Sequence, residues 1–319
     1  MPIHQNIIDN PKSERVRRVA DLSNRRSRER SGRFLVEGPQ SVREAVRCMP
    51  QTVTDVYVAV SDDPERSRLD PGLARHGYEG TPETMPDDVP VSALLSPIVA
   101  EAVKAGLYVH LCSAGVIERM SRDAQGIVAV GDMQVTRDAM TGTVRETPGV
   151  GGLDGCPSLV AAFWQVRDPG NAGTVIRAAD AAGCDAVVFV DDCVDMLNPK
   201  VIRATAGSLF HIPVMTMGVD EFFGWAGEKV LRTVAADVYG TDGREPRELP
   251  EALRDQDLSG VGKAVIFGNE ARGLEPGLLG RCDDIVRIPL YGKAESLNLA
   301  TSAAIMLMSM AMSSHIGTM

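Results

Sequence analysis

A chain of 319 residues, 44% hydrophobic and 24% charged, is long enough for two domains with separate cores and is too apolar to be disordered by default. Its six cysteines are scattered without a CxxC pair, and no histidine sits at zinc-ligand spacing, so composition speaks against a disulfide framework and a metal site and fits a reducing, cytoplasmic setting. No apolar signal core opens the chain, and the longest apolar stretch, Leu299 to Met312, is too short and too interrupted by Thr and Ser to span a bilayer.

The net charge of −10 is unevenly spread. Between Lys12 and Arg33 there are nine basic residues against three acidic ones, a local balance of nine minus three, or +6. Such a run serves equally as a solvated, salt-bridged helix face or as a phosphate-gripping patch. If it binds RNA, Arg25, Arg26, Arg28, Arg30 and Arg33 are the candidate contacts.

From about Arg33 to Gly131, strand-like and helix-like runs alternate: RFLVEG, PQSVREAVR, VTDVYVAV, LYVHLC, SAGVIERMS and GIVAVG. They predict a small α/β domain over residues 1–132, with the Pro-, Gly- and acid-rich stretch from Arg75 to Pro97 as a surface excursion. Residues 133–157 lose the pattern and suit a connector. Their GVGGLDG is not a dinucleotide fingerprint, because Asp154 stands where the third glycine belongs and no strand precedes it.

Residues 158–319 then offer six strand candidates: 158–164, 186–190, 211–216, 230–236, 263–267 and 284–290. Continuous apolar strands separated by helical patterns predict a largely parallel sheet covered on both faces. The final helix, from Ser296 to about Met312, is apolar nearly all round, which implies burial on more than one side and suggests a subunit contact.

Three segments of this second domain place Gly, Asn, Glu or Ser directly after an apolar strand, where open α/β sheets hold their ligands. In DPGNAGTVIRAADAAG, Asn171 is suited to cap a helix, and Arg177, under two turns on, has the reach to turn back to the same loop. In FGNEARGL, Gly268 allows close approach to the backbone while Asn269 and Glu270 offer hydrogen-bonding groups. In IPLYGKAESLNLATSAAI, Ser296 and Asn298 stand at the entry of the apolar helix. Taken singly, Asn171 and Ser296 are equally plain caps, and Arg177 is equally an i,i+3 partner of Asp180.

Together the three segments resemble, in order, the signature motifs of the SpoU (TrmH-like) branch of the SPOUT RNA methyltransferases. That resemblance implies an α/β SPOUT domain with a parallel sheet and a deep trefoil knot, S-adenosylmethionine as cofactor, and a ribose 2′-hydroxyl as methyl acceptor. It implies polar active-site positions at Asn171, Arg177, Glu270, Ser296 and Asn298, and an adenosyl pocket near Ala235, Gly268, Asn269, Ile288, Leu290 and Leu297. It also implies a homodimer whose second subunit completes the site. Ser27 to Val46 resembles the L30e-like RNA-binding domain that precedes the catalytic domain in several ribosomal RNA members, which favours ribosomal over transfer RNA as substrate. A non-catalytic RNA-binding or ribosome-assembly factor with the same fold is the alternative from another class. An oxidoreductase on an ordinary Rossmann sheet lacks its GxGxxG.

Overall fold

The computed structural model describes residues 3–61, 91–143, 156–269 and 272–315. They fall into two compact bodies, Met1–Arg137 with Leu197–Phe210, and Asp138–Met196 with His211–Met319.

The first body holds β1 (Ile3–Ile8), α1 (Glu14–Ala20), α2 (Arg25–Ser31), β2 (Arg33–Glu37), α3 (Pro39–Cys48), β3 (Val53–Ala59), α4 (Ser96–Lys104), β4 (Tyr108–Cys112), α5 (Ala114–Met120) and β5 (Ile127–Asp132). The strands make a mixed sheet in the order β1-β4-β3-β5-β2, parallel from β1 to β3 and antiparallel through β5. Val16, Val19 and Leu22 join Val116, Ile117 and Met120 in the core over one of its faces. The strand β1 is one the sequence pattern does not predict, because IHQNII is interrupted by polar residues. Most of the expected surface excursion lies outside the described residues, but its end is core: Val91, Ala93 and Leu95 are buried and lead into α4.

The helix α6 (Met133–Thr143) occupies the first half of the stretch that reads as a connector, and residues 144–155 lie outside the described chain. Residues 133, 136 and 140 are buried, a helical spacing masked in the sequence by the polarity of Thr136.

The second body contains β6 (Leu159–Trp164), α7 (Pro169–Ala181) and β7 (Ala186–Val190). Next comes α8 (Pro199–Ala204), which is counted with the first body; there Arg203 Nη1 donates to Glu37 Oε1 at 2.6 Å and also meets Asp123. The second body continues with β8 (Val214–Met217), α9 (Val219–Glu228), β9 (Arg232–Ala236), the two-residue β10 (Arg247–Glu248), the short α10 (Leu249–Ala252) and α11 (Gln256–Ser259), β11 (Lys263–Phe267), the short α12 (Pro276–Leu279), β12 (Asp284–Arg287) and α13 (Leu299–His315).

Its seven strands pair in the order β10-β12-β9-β11-β6-β7-β8, all parallel. Every residue of β6, β7 and β11 is buried, as strands covered on both faces must be. Alternation sends Ala162, Trp164, Val188 and Ile266 toward Phe222 and Ala226 of α9 and Leu278 and Leu279 of α12. The other face carries Phe163, stacked on Phe267 with ring centres 5.1 Å apart, and is covered by α7 and α13, which pack on each other. Among the described residues no helix is long and apolar enough to cross a membrane.

Candidate active site

The loops at the carboxyl ends of β6, β9, β11 and β12 follow adjacent strands, and the chemistry-bearing segments lie there. After β6 the chain turns into α7. Asp168, not Asn171, is its N-cap: Asp168 Oδ1 accepts the Asn171 N–H at 2.8 Å, and Pro169 takes the first helical position, which needs no N–H donor. Asn171 is thereby released from capping, and its Oδ1 accepts a hydrogen bond from Asn298 Nδ2 at 3.1 Å. Asn298 in turn caps α13, its Oδ1 accepting from the N–H of Ala300 at 2.9 Å and of Thr301 at 3.3 Å. Two residues 127 positions apart so tie together the N-termini of two long helices, whose positive dipole ends favour an anionic or oxygen-rich ligand.

Arg177 lies six residues beyond Asn171, roughly 9 Å further along α7. Its side chain is exposed and meets no carboxylate among the described residues. The i,i+3 pair with Asp180 does not form; Asp180 Oδ2 lies 2.9 Å from His211 Nδ1 instead. Ser296 is exposed just outside α13 and leaves the cap to Asn298. Glu270 lies outside the described residues.

After β11 the main chains of Asn269 and Gly273 bond each other, Asn269 N–H to Gly273 O at 3.2 Å and Gly273 N–H to Asn269 O at 2.9 Å. Asn269 Nδ2 donates to the Gln165 carbonyl at 2.7 Å, pinning this loop to the end of β6. Gly268 is required here by the chain itself, since a Cβ would run into the main chain of Gly273 and Leu274. The close approach expected of a ligand is thus made by the protein's own backbone.

Two residues that sequence reasoning missed flank these loops. Gln165 and Asp191, immediately after β6 and β7, adopt φ of 51° and 65°, sparsely populated for residues with side chains, and Gln165 Nε2 donates to Asp191 Oδ2 at 2.7 Å. The one signal in the sequence is a polar residue directly after a run of apolar ones. Beside them, burial pushes the Cys193 thiol up to about 11, so it is protonated at neutral pH and is no thiolate nucleophile.

Between β9, β12 and α13 a small crevice is lined by Ala236, Asp237, Val238, Phe267, Val286, Arg287, Ile288, Leu290, Leu297, Ser302 and Met306. Ile288, Leu290 and Leu297 stand where the motif resemblance puts an adenosyl pocket, whereas Ala235 is wholly buried in the core on the opposite face and its neighbour Ala236 takes the lining position. The crevice encloses about 60 Å³, and its walls are mostly apolar, with Asp237, Arg287 and Ser302 as the polar or charged residues among them. A larger cleft, of about 590 Å³, lies in the first body among Glu37, Glu118, Arg119, Arg122, Asp123 and Lys200, and none of the motif residues lines it.

In the basic run, Arg28 is set apart from its neighbours. It is buried, and its Nη1 donates to the carbonyls of Leu22 at 3.0 Å and Ser23 at 3.1 Å, so this arginine serves the fold and is withdrawn from any RNA surface. Arg25 pairs with Glu29 at 2.8 Å and Arg33 approaches Asp55 at 3.7 Å. Arg26 and Arg30 are exposed and meet no carboxylate among the described residues.

A parallel sheet with helices on both faces, and motif loops gathered at its carboxyl ends beside two joined helix N-termini, define an α/β protein with a site at one end of its sheet. Comparison with known proteins shows what it is similar to. Residues 158–308 match the SpoU rRNA Methylase family, and residues 13–76 match the MRM3-like substrate binding domain. The chain is thus similar to the SpoU family over its C-terminal stretch, which is a little under half of its length. It is 42% identical over 144 residues to the 23S rRNA (guanosine(2553)-2′-O)-methyltransferase RlmP of Bacillus subtilis, a match covering 44% of this chain and 53% of that protein, so the chain spans about half the length of this relative. It is 28% identical over 241 residues to the 23S rRNA (guanosine-2′-O-)-methyltransferase RlmB of Bordetella pertussis, covering 73% and 89% of the two chains. The fold is that of the AdoMet-bound rRNA methyltransferase from Sinorhizobium meliloti, with a TM-score of 0.69, 23% identity and coverage of 97% and 98%.

Proposed function

We propose that this protein transfers the methyl group of S-adenosylmethionine to a ribose 2′-hydroxyl of large-subunit ribosomal RNA, in the cytoplasm, as a homodimer. The observation that carries the proposal is the Asn171–Asn298 hydrogen bond, which joins two SpoU motifs at paired helix N-termini. Beside it, the apolar crevice offers Phe267, Ile288, Leu290, Leu297 and Met306 to hold the cofactor. When bound, S-adenosylmethionine supplies an activated methyl carbon. The names of the relatives, 23S rRNA 2′-O-methyltransferases, support the substrate class.

In this mechanism the protein's task is alignment and charge. Positioning the acceptor oxygen in line is worth roughly 7–11 kcal/mol of barrier. Asn171 and Asn298, each fixing the other, and the positive ends of the two helices hold the ribose and its phosphate. Arg177, exposed and without a described counterion, supplies positive charge to the developing alkoxide; a delocalised guanidinium has no lone pair to accept a proton, so its role is electrostatic. Glu270 and Ser296 complete the polar lining. The dimer is supported by a stripe of exposed apolar residues on α13, Ile305, Met308 and Met312, which follows one helix face and has no cover among the described residues. The trefoil knot belongs to the same proposal.

The test incubates the purified protein with methyl-labelled S-adenosylmethionine and, separately, unmodified large-subunit rRNA, small-subunit rRNA and bulk tRNA. Label is expected in the large-subunit rRNA, reduced about 10²–10³-fold in Arg177→Ala and partly retained in Arg177→Lys. Label in tRNA alone would overturn the substrate, and RNA binding without any label would turn the protein into a binding factor.

A further inference from the structure

Of the five tyrosines in the chain, the last two, Tyr239 and Tyr291, both stand beside the crevice. Each directly follows a residue that lines it, Val238 for Tyr239 and Leu290 for Tyr291. Both are almost bare, 81% and 92% exposed, although an aromatic ring of this size gains nothing for the fold from solvent.

The backbone under Tyr239 is held in place by an unusual number of bonds. Asp237 Oδ1 accepts from the N–H groups of Tyr239 and Gly240, each at 2.8 Å. Gly240 takes φ of 72°, and a Cβ there would run into Arg244 and Pro246. Thr241 and Arg244 then bond each other's main chain at 3.1 and 2.9 Å. The Arg244 guanidinium is spent on three carbonyls, those of Leu279 at 3.2 Å, Cys282 at 2.9 Å and Asp283 at 3.0 Å. A loop this firmly fixed that delivers an exposed ring is built to present it. Near the other tyrosine an exposed cation, Lys293, lies two residues along.

A firmly held exposed ring at the crevice, with a second exposed ring two residues from a cation, is the chemistry that grips unpaired bases, since every base has a stacking face and each nucleotide carries a phosphate. We propose that Tyr239 and Tyr291 form a stacking platform for unpaired nucleobases of the RNA substrate, holding the strand splayed so that one ribose enters the site. This rests on the RNA-methyltransferase function proposed above.

The test uses the full-length protein and two probes, an unstructured twelve-nucleotide uridine RNA carrying 4-thiouridine, and S-adenosylhomocysteine. Tyr239→Ala and Tyr291→Ala should each weaken RNA binding about ten-fold, while the Phe variants stay within about two-fold of wild type. Irradiation should cross-link the thiouridine to peptides containing Tyr239 or Tyr291. Affinity for S-adenosylhomocysteine and melting temperature should not move, as expected for rings left almost wholly in solvent. Weakened S-adenosylhomocysteine binding with unchanged RNA binding would assign the rings to the cofactor's adenine, and a fall in molecular mass would assign them to a second copy of this chain; either overturns the proposal. So does wild-type RNA binding that survives both Ala substitutions. Failure of the wild type to bind or methylate any RNA would instead overturn the underlying function.

Discussion

Replacing Arg28 by alanine separates a folding arginine from binding arginines in the same basic run. The buried guanidinium donates to two carbonyls, of Leu22 and Ser23, in the turn that carries the chain from α1 into α2. A hydrogen bond from a charged donor contributes about 1.5–3 kcal/mol, and removing the donor also leaves buried acceptors unsatisfied, so Arg28→Ala should cost about 3–5 kcal/mol. For a body of this size that is a fall in melting temperature of roughly 10 °C. Arg26 and Arg30 lie on the same helix with exposed side chains, and their alanine variants should melt within about 0.5 kcal/mol of wild type. Their effect should fall on RNA instead: for each phosphate that is no longer neutralised, the slope of log affinity against log salt becomes shallower by about 0.7–0.9.

The assays are thermal denaturation by circular dichroism and RNA affinity across a potassium chloride series. An Arg28→Ala protein that melts like wild type but binds RNA with a smaller salt slope would refute the division. So would Arg26→Ala or Arg30→Ala variants that lose stability and keep the slope.

Lys263 opens the central strand β11 fully buried, and burial lowers its ammonium from 10.5 to about 8. Below pH 8 both folded and unfolded chains hold the proton and the full penalty applies; between about 8 and 10.5 the unfolded chain holds more protons, so stability rises with pH and the penalty vanishes above that range. Lys263→Met should therefore stabilise the protein at pH 7 by up to about 3 kcal/mol, and the difference between variant and wild type in urea denaturation should shrink from pH 8 to 10.5. Gly268→Ala should force the Asn269–Gly273 loop away from the end of β11, costing about 1–3 kcal/mol and most of the cofactor affinity measured by calorimetry. Asn298→Ser keeps a helix cap but loses the bond to Asn171; methyl transfer should fall at least ten-fold with a melting temperature within about 2 °C, whereas Asn298→Ala should lose about 1 kcal/mol of stability as well.

What the sequence displayed depended on whether side chains or backbone carried the information. Strands β6, β7 and β11 were legible because a parallel strand buried on both faces is almost continuously apolar, and here each run is short and bounded by polar, Gly or Pro residues. The helix α6 was not, because Thr136 occupies a buried position and satisfies its hydroxyl on the Asp132 carbonyl at 2.6 Å, breaking the apolar stripe by which a helix is read. Arg28 was indistinguishable from eight other basic residues, since its partners include two carbonyls whose direction only the folded turn sets.

The site divides along the same line. Motif order pointed to Asn171 and Asn298, yet the reason they meet is that Asp168 takes the cap of α7 and frees Asn171, an exchange of roles among neighbours that spacing does not reveal. Gln165 and Asp191 carry strained φ angles at adjacent strand ends, and nothing in their identities announces it. Gly268 is the sharpest case: a glycine after a strand beside a ligand loop invites the inference of ligand approach, while the folded chain fills the space with Gly273 and Leu274. A glycine in a motif therefore establishes that something comes close to the backbone. Here it is the protein's own loop, which makes the shape of the site a property of chain packing that exists before any ligand arrives.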